Sequence, residues 1–337
     1  MRRFLEMPSI SPLRCEKCTL ISASFLHSPR PIMHIPRVSP LFALCLAPAF
    51  LHAAPDNGEA VAGSKPRMSL IDPAAFGFGS PGFVTDASWI DTQDLKDQNG
   101  AVDFSEWRMI APLGAVKRGD FLWAASLGYN LTDVGFEDIM GMEDETLHTL
   151  ELQITSLWRP QGSRWSTMAF VTPGVSTDFE GISTDDVEAT GLGLINYRVN
   201  DELTLAGGVF GRYETDDSML VPAFGFIWQR EPFVVQMTPP FAVIGWRASE
   251  KLTLSLSAYP SGGSWDLDGQ AANRLNLSGW QTAATVMYRF TDHWALSLRA
   301  GMNVGGELEL LDRDNRKLMR EDLESAAFGA INVRYLF

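Results

Sequence analysis

His148 and His293 are the only histidines beyond residue 54 of this 337-residue chain. An imidazole is the usual base of a Ser–His or Asn–His–Ser hydrolase, provided a nucleophile lies within hydrogen-bond reach. His148 follows Thr146 and Leu147, and His293 sits between Asp292 and Trp294. No Gly-x-Ser-x-Gly elbow accompanies either one, so no catalytic residue is assigned and the chain reads as a non-enzyme. Cys15-x-x-Cys18 has the spacing of half a zinc site. It lacks a second pair or a suitably spaced histidine, and chance spacing is the better account. The acidic run Asp133, Glu137, Asp138, Glu143, Asp144, Glu145 lacks the Asp-x-Asp-x-Asp-Gly order of a calcium loop. No metal, no cofactor and no nucleotide-binding glycine loop is therefore expected. A basic nucleic-acid surface is excluded by the charge balance, −14 for the whole chain and −18 without residues 1–54.

The elements that carry these residues alternate with period two. In 121–131 the apolar set is Phe121, Trp123, Ala125, Leu127, Tyr129 and Leu131, against Ser126, Gly128 and Asn130. In 293–304 it is Trp294, Leu296, Leu298, Ala300, Met302 and Val304, against Ser297, Arg299 and Asn303. Segments 251–258 and 203–213 behave alike, as do those near 148–158, 187–198 and 279–290. Side chains alternate faces along a strand, so each segment has one greasy and one wettable face. Aromatics gather near strand ends (Trp158, Tyr197, Trp280, Tyr288, Phe290), where a membrane interface would place them. Mean hydropathy is −0.02, which fits a barrel wall with only alternate residues toward lipid and fits an ordinary soluble β protein as well.

The connections alternate in kind. Short ones fall near 113–119, 160–163, 199–202, 229–232, 248–251 and 290–293. The others, mostly long, fall near 93–101, 131–146, 175–187, 214–218, 259–274 and 305–322. This predicts an all-β, transmembrane antiparallel up-and-down β-barrel of about 14 strands, with 12 as the alternative. Pro239-Pro240 either makes a tight external turn or interrupts one longer strand. The long loops are acidic, and the short turns and their flanks hold bases such as Lys117, Arg159 and Arg230.

The N-terminus reads as an export signal set deep in the chain. Met33 to Arg37 is a short basic stretch, Val38 to Leu51 is apolar, and Ala53 and Ala54 follow. The expected organisation is an extension plus signal peptide over 1–54, with the true start at Met33 or else a long presequence. An irregular periplasmic segment (55–80) and the barrel (81–337) follow. Residues 1–54 hold six of the 27 basic residues, two of the 41 acidic ones and all three cysteines, so their removal shifts the balance to −18.

Val333-Arg334-Tyr335-Leu336-Phe337 closes the chain on an aromatic and resembles the C-terminal sorting strand of bacterial outer-membrane barrels. Four further features lie upstream: Thr172-Pro173-Gly174 before an acidic loop, Val221-Pro222-Ala223, Pro239-Pro240, and Gly245-Trp246. With them, the run from about 100 to 337 resembles a family of uncharacterised bacterial outer-membrane β-barrel proteins, a domain of unknown function. The resemblance implies a location and a fold, and brings no activity or catalytic residues.

With the apolar phase toward lipid, Glu151, Arg198, Arg212, Arg299 and Arg334 become lumen-lining candidates, and Arg299 with Arg334 would form part of a basic strip. Tyr335 and Phe337 are the sorting and assembly residues. The function expected is channel-like passage of small solutes. The alternative is a non-transporting structural or surface-interaction barrel acting through its acidic external loops. The expected location is the bacterial outer membrane. The expected partners are outer-membrane lipid, lipopolysaccharide and the outer-membrane assembly machinery.

Overall fold

The computed structural model describes residues 82–139, 141–178, 186–213, 218–267, 271–312 and 314–336. The expected signal over 1–54, segment 55–80 and the terminal Phe337 lie outside the described residues. Fifteen strands succeed one another: β1 (Gly82–Asp94), β2 (Ala101–Arg118), β3 (Phe121–Glu137), β4 (Glu145–Trp158), β5 (Trp165–Thr177), β6 (Val187–Arg198), β7 (Leu203–Tyr213), β8 (Ser218–Arg230), β9 (Phe233–Thr238), β10 (Phe241–Arg247), β11 (Leu252–Asp266), β12 (Arg274–Arg289), β13 (Trp294–Leu311), β14 (Lys317–Asp322) and β15 (Ala326–Leu336). From β1 to β13 each strand pairs antiparallel with the next; β13 then pairs with β15, and β15 with β1. The ring is a closed barrel of fourteen strands. β14 stands outside it as half of a hairpin on the loop end of β13.

Alternation sorts the side chains as the strands demand. Leu220 (75%), Phe224 (71%), Leu256 (60%) and Ile195 (56%) are exposed on the outer face, while Ser126, Gln153 and Gln236 are buried within. A wall with apolar groups outside and amides and hydroxyls inside is built for lipid around and water within. Aromatic pairs ring the short-turn end: Phe121–Trp158, Trp165–Tyr197 at 4.7 Å, Phe233–Trp246, Tyr288–Phe290 and Trp294–Tyr335 at 4.9 Å. Rings with one apolar and one polarisable side settle at such an interface.

Three sequence expectations on connections are settled here. Pro239-Pro240 makes a tight turn, joining β9 to β10 from Thr238↔Phe241 downward. Residues 113–118, expected as a connection, remain strand. The register shifts between Pro112 and Gly114, with Leu113 as the extra residue, and Lys117↔Leu122 and Arg118↔Phe121 still pair, leaving Gly119 and Asp120 to turn. A bulge beside a proline lets the strand continue past a residue that brings no N–H to the ladder. The long loops are also shorter than expected, because β3, β11 and β13 run on to Glu137, Asp266 and Leu311. These extensions bury their inner faces in an apolar cluster that includes Val102, Val134, Leu147, Leu275, Leu308 and Leu310. Fully burying each such side chain contributes about 1.5–3 kcal/mol, enough to hold strand outside the wall proper.

The wall is uneven. β9 and β10 have six and seven residues, and β8 pairs with β9 only from Phe226↔Met237 to Arg230↔Phe233. β10 pairs with β11 only up to Ala242↔Ala258. Among the described residues, 218–225 of β8 and 260–265 of β11 thus have a ladder partner on one side only. Further out, Asp266 of β11 bridges to Thr177 of β5 across the mouth.

Candidate functional site

The lumen carries a layer of charge whose members reach over intervening strands. Arg108 on β2 and Glu151 on β4 flank β3, and the guanidinium Nη2 donates to Glu151 Oε1 at 2.5 Å. Gly128 of β3, the register partner of Glu151, leaves the room; a Cβ there would meet Glu151 Cγ and Oε1 at 2.7 Å. Gln153 Nε2 donates to the same carboxylate at 3.0 Å. Arg299 on β13 pairs in register with Ala330 of β15 and passes it to Asp86 on β1. Arg299 Nη2 donates to both carboxylate oxygens at 2.7 and 2.6 Å, and Nη1 donates to Tyr259 Oη on β11 at 3.0 Å. Its guanidinium also lies 5.6 Å from the centre of the Phe328 ring. Charge-assisted bonds to a planar fork are stronger and more directional than neutral ones.

Toward the loop end the polar contacts continue around the wall. Arg212 of β7 stands 4.0 Å from Glu188 of β6; Glu188 accepts from Ser176 Oγ at 2.7 Å, and Ser176 meets Thr149 of β4 at 2.9 Å. Asn303 links Gln93 of β1 and Ser261 of β11. Two cavities of about 370 and 270 Å³ run into one another here, sharing Ser88, Glu106, Asn130, Phe241 and Gln281 in their walls.

Among the sequence candidates, Glu151 and Arg212 line the larger cavity and Arg299 the smaller. Arg198 Nη2 donates to the Ser163 carbonyl of a short turn at 3.0 Å. Arg334 pairs in register with Ala295 and Val84, four residues along β15 from Ala330, where Arg299 meets that strand. Arg299 is joined to Asp86 rather than to a basic neighbour. Tyr335 packs on Trp294 and His293 at the turn end.

Sequence reading missed Asp86, Tyr259 and Glu188, although parity could have found two of them. Phe83 and Trp89 outward put Asp86 inward, and Leu252 to Ala258 outward put Tyr259 inward. The expected connection near 259–274 includes Tyr259, which the structure places on β11. His148 donates to or accepts from Tyr129 Oη at 2.8 Å beside Trp107, on the outer face of the wall. There it completes an aromatic patch. Among the described residues no group of three or more His, Cys, Asp or Glu side chains is placed to hold a metal.

A closed antiparallel ring with an apolar exterior, a turn-end aromatic girdle and a charged, water-sized lumen defines an outer-membrane-type β-barrel. The sequence profile of a domain of unknown function, DUF6268, matches residues 122–335, and the chain belongs to that family. No curated protein matches it. Among solved structures it is similar to the COG4313 outer membrane channel from Pseudomonas putida F1, with a TM-score of 0.43 and 9% identity over 76% of this chain and 95% of that one. It is also similar to the TodX deltaS2S3 mutant monoaromatic hydrocarbon channel, with a TM-score of 0.39 and 9% identity over 76% and 90%. A third is the NanC porin, with a TM-score of 0.37 and 6% identity over 76% and 100%.

Proposed function

We propose that this protein is a channel-like barrel of the bacterial outer membrane that passes small solutes, with its short turns in the periplasm and its long acidic loops outside. The observation that carries this is the pair of merging cavities within the ring, lined by Glu106, Arg108, Asp86, Arg299, Glu151 and Arg212. Fixed charges of both signs along a narrow wet path select solutes by charge as well as by size. Lipopolysaccharide and outer-membrane lipid are its surroundings, and the envelope's assembly machinery inserts it through the strand ending at Tyr335 and Phe337. Refolded protein in planar bilayers tests the reading: conductance steps support it, and a silent bilayer rejects it.

A second reading rests on the mouth. The apolar cluster of the strand extensions and the Asp266–Thr177 bridge narrow the loop end. They favour a non-transporting barrel that works through its acidic loops. That reading requires a silent bilayer together with loss of envelope integrity when the loops are deleted.

A further inference from the structure

We propose that the gap between β8 and β11, above the Pro239-Pro240 turn, is a side portal by which a compact apolar molecule exchanges between the lumen and the surrounding lipid. This rests on reading the barrel as a conduit, and adds to it a route and a substrate class.

The gap follows from strand length. Six and seven residues at about 3.3 Å each and about 40° of tilt rise roughly 15–18 Å, short of an apolar band about 25 Å tall. The wall therefore ends within the bilayer at β9 and β10. On the β8 side, Phe224 and Leu220 face outward, 71% and 75% exposed, along the stretch that has no β9 partner.

An unpaired edge in hydrocarbon costs several kcal/mol per unsatisfied group, and is tolerated where it lines a water-filled cavity. The β11 edge fits that condition, and both edges carry a proline. Pro222 and Pro260 lie on them and bring no N–H, as edge prolines do. Pro260, Ser261, Gly262, Gly263 and Trp265 of β11 line the 370 Å³ cavity directly. Gly262 has φ +107, a bend that only glycine takes without strain.

What lies behind the gap names the cargo. Phe170, Phe210 and Phe241 form the cavity wall below and beside it, with Phe210 and Phe241 edge to face at 6.5 Å. They belong to one apolar cluster with Leu192, Leu194 and Ala223. The Arg108–Glu151 pair sits on the far arc, on β2 and β4, and the Arg299–Asp86 pair on β13 and β1, from which Arg299 also reaches Tyr259 of β11. A molecule entering from the gap meets the phenyl faces with the Arg212–Glu188 pair above them, and the Arg108 and Arg299 pairs beyond. A cavity at the lower end of ligand-pocket sizes fits a compact ring compound better than a long acyl chain.

The test photolabels the refolded full-length chain in lipid vesicles with trifluoromethyl-iodophenyl diazirine, a compact aromatic probe that partitions into lipid. Mass spectrometry then locates the label. The expected result is label on the inward Phe170, Phe210 and Phe241 as well as on the outward Leu220 and Phe224. Ala223→Trp, which fills the entry from the β8 side, should abolish the inward label and keep the outward. Should that variant not refold, Phe241→Trp obstructs the same gap and is read on Phe170 and Phe210. Outward label alone in the unaltered chain overturns the portal, as does inward label that survives the blocking substitution in a folded barrel. Ion conductance of the same vesicles reports on the conduit reading separately, so a silent but inward-labelled barrel rejects the one and retains the other.

Discussion

Arg299 holds both carboxylate oxygens of Asp86, at 2.7 and 2.6 Å, and so ties β13 to β1 across β15. β1 and β15 are the first and last strands of the ring, and their nine register pairs close it. The ion pair can form only after that closure. It is a clasp over the joint, and its two side chains are only 13% and 12% exposed.

Asp86→Asn should therefore loosen the closed state by about 1–3 kcal/mol, the cost of stripping charge from one partner of a half-dry pair. A lower temperature for loss of the compact, heat-modifiable gel band is the readout. Asp86→Asn with Arg299→Gln should cost no more than the worse single change, since both remove one interaction. Full additivity would deny the clasp.

Gly128→Ala should displace Glu151, because the added carbon would sit 2.7 Å from that side chain. A loss of about 1–3 kcal/mol is expected, as for other overpacked sites. In a Glu151→Ala background the same change should cost almost nothing. Urea unfolding of the four proteins in detergent decides this, and an undiminished cost would place the clash elsewhere.

Glu106 lines both cavities beside Arg108, and its removal should alter the field of the lumen. In a bilayer separating unequal KCl concentrations, Glu106→Gln should move the reversal potential toward anion preference. An unchanged potential with conductance intact would mean that ions take another path.

Loss of Phe337 should reduce insertion into the outer membrane and leave the chain in the periplasm, measured by fractionation. Tyr335→Ala removes the partner of Trp294 at 4.9 Å and should cost about 0.5–1.5 kcal/mol beyond the lost area. Normal insertion of the shortened chain would separate the terminal residue from sorting.

The ring was legible in the sequence because lipid enforces alternation: Leu296, Leu298 and Met302 outward leave Ser297, Arg299 and Asn303 inward, and they are so placed. Strand ends were not legible. Glu137 and Asp266 look like loop residues, yet the strands reach them because Val134, Leu147 and Leu275 bury inner faces that composition alone does not flag. The lumen contacts were half legible. Parity gave the faces of Glu151 and Arg299, but partners on β2 and β1, two strands away in the ring, follow from shear and from the small residues Gly128 and Ala330. Neither is encoded in the local pattern.

A ring that is low on one side cannot meet a flat bilayer evenly. Beside the β9–β10 hairpin the lipid faces a hydrophobic height about 7–10 Å shorter than elsewhere, and it must thin or tilt to match. The barrel therefore has a front and a back in the membrane plane. Set in an outer membrane, the shortest hairpin of the fold would mark one side of the barrel by the thinner bilayer drawn around it.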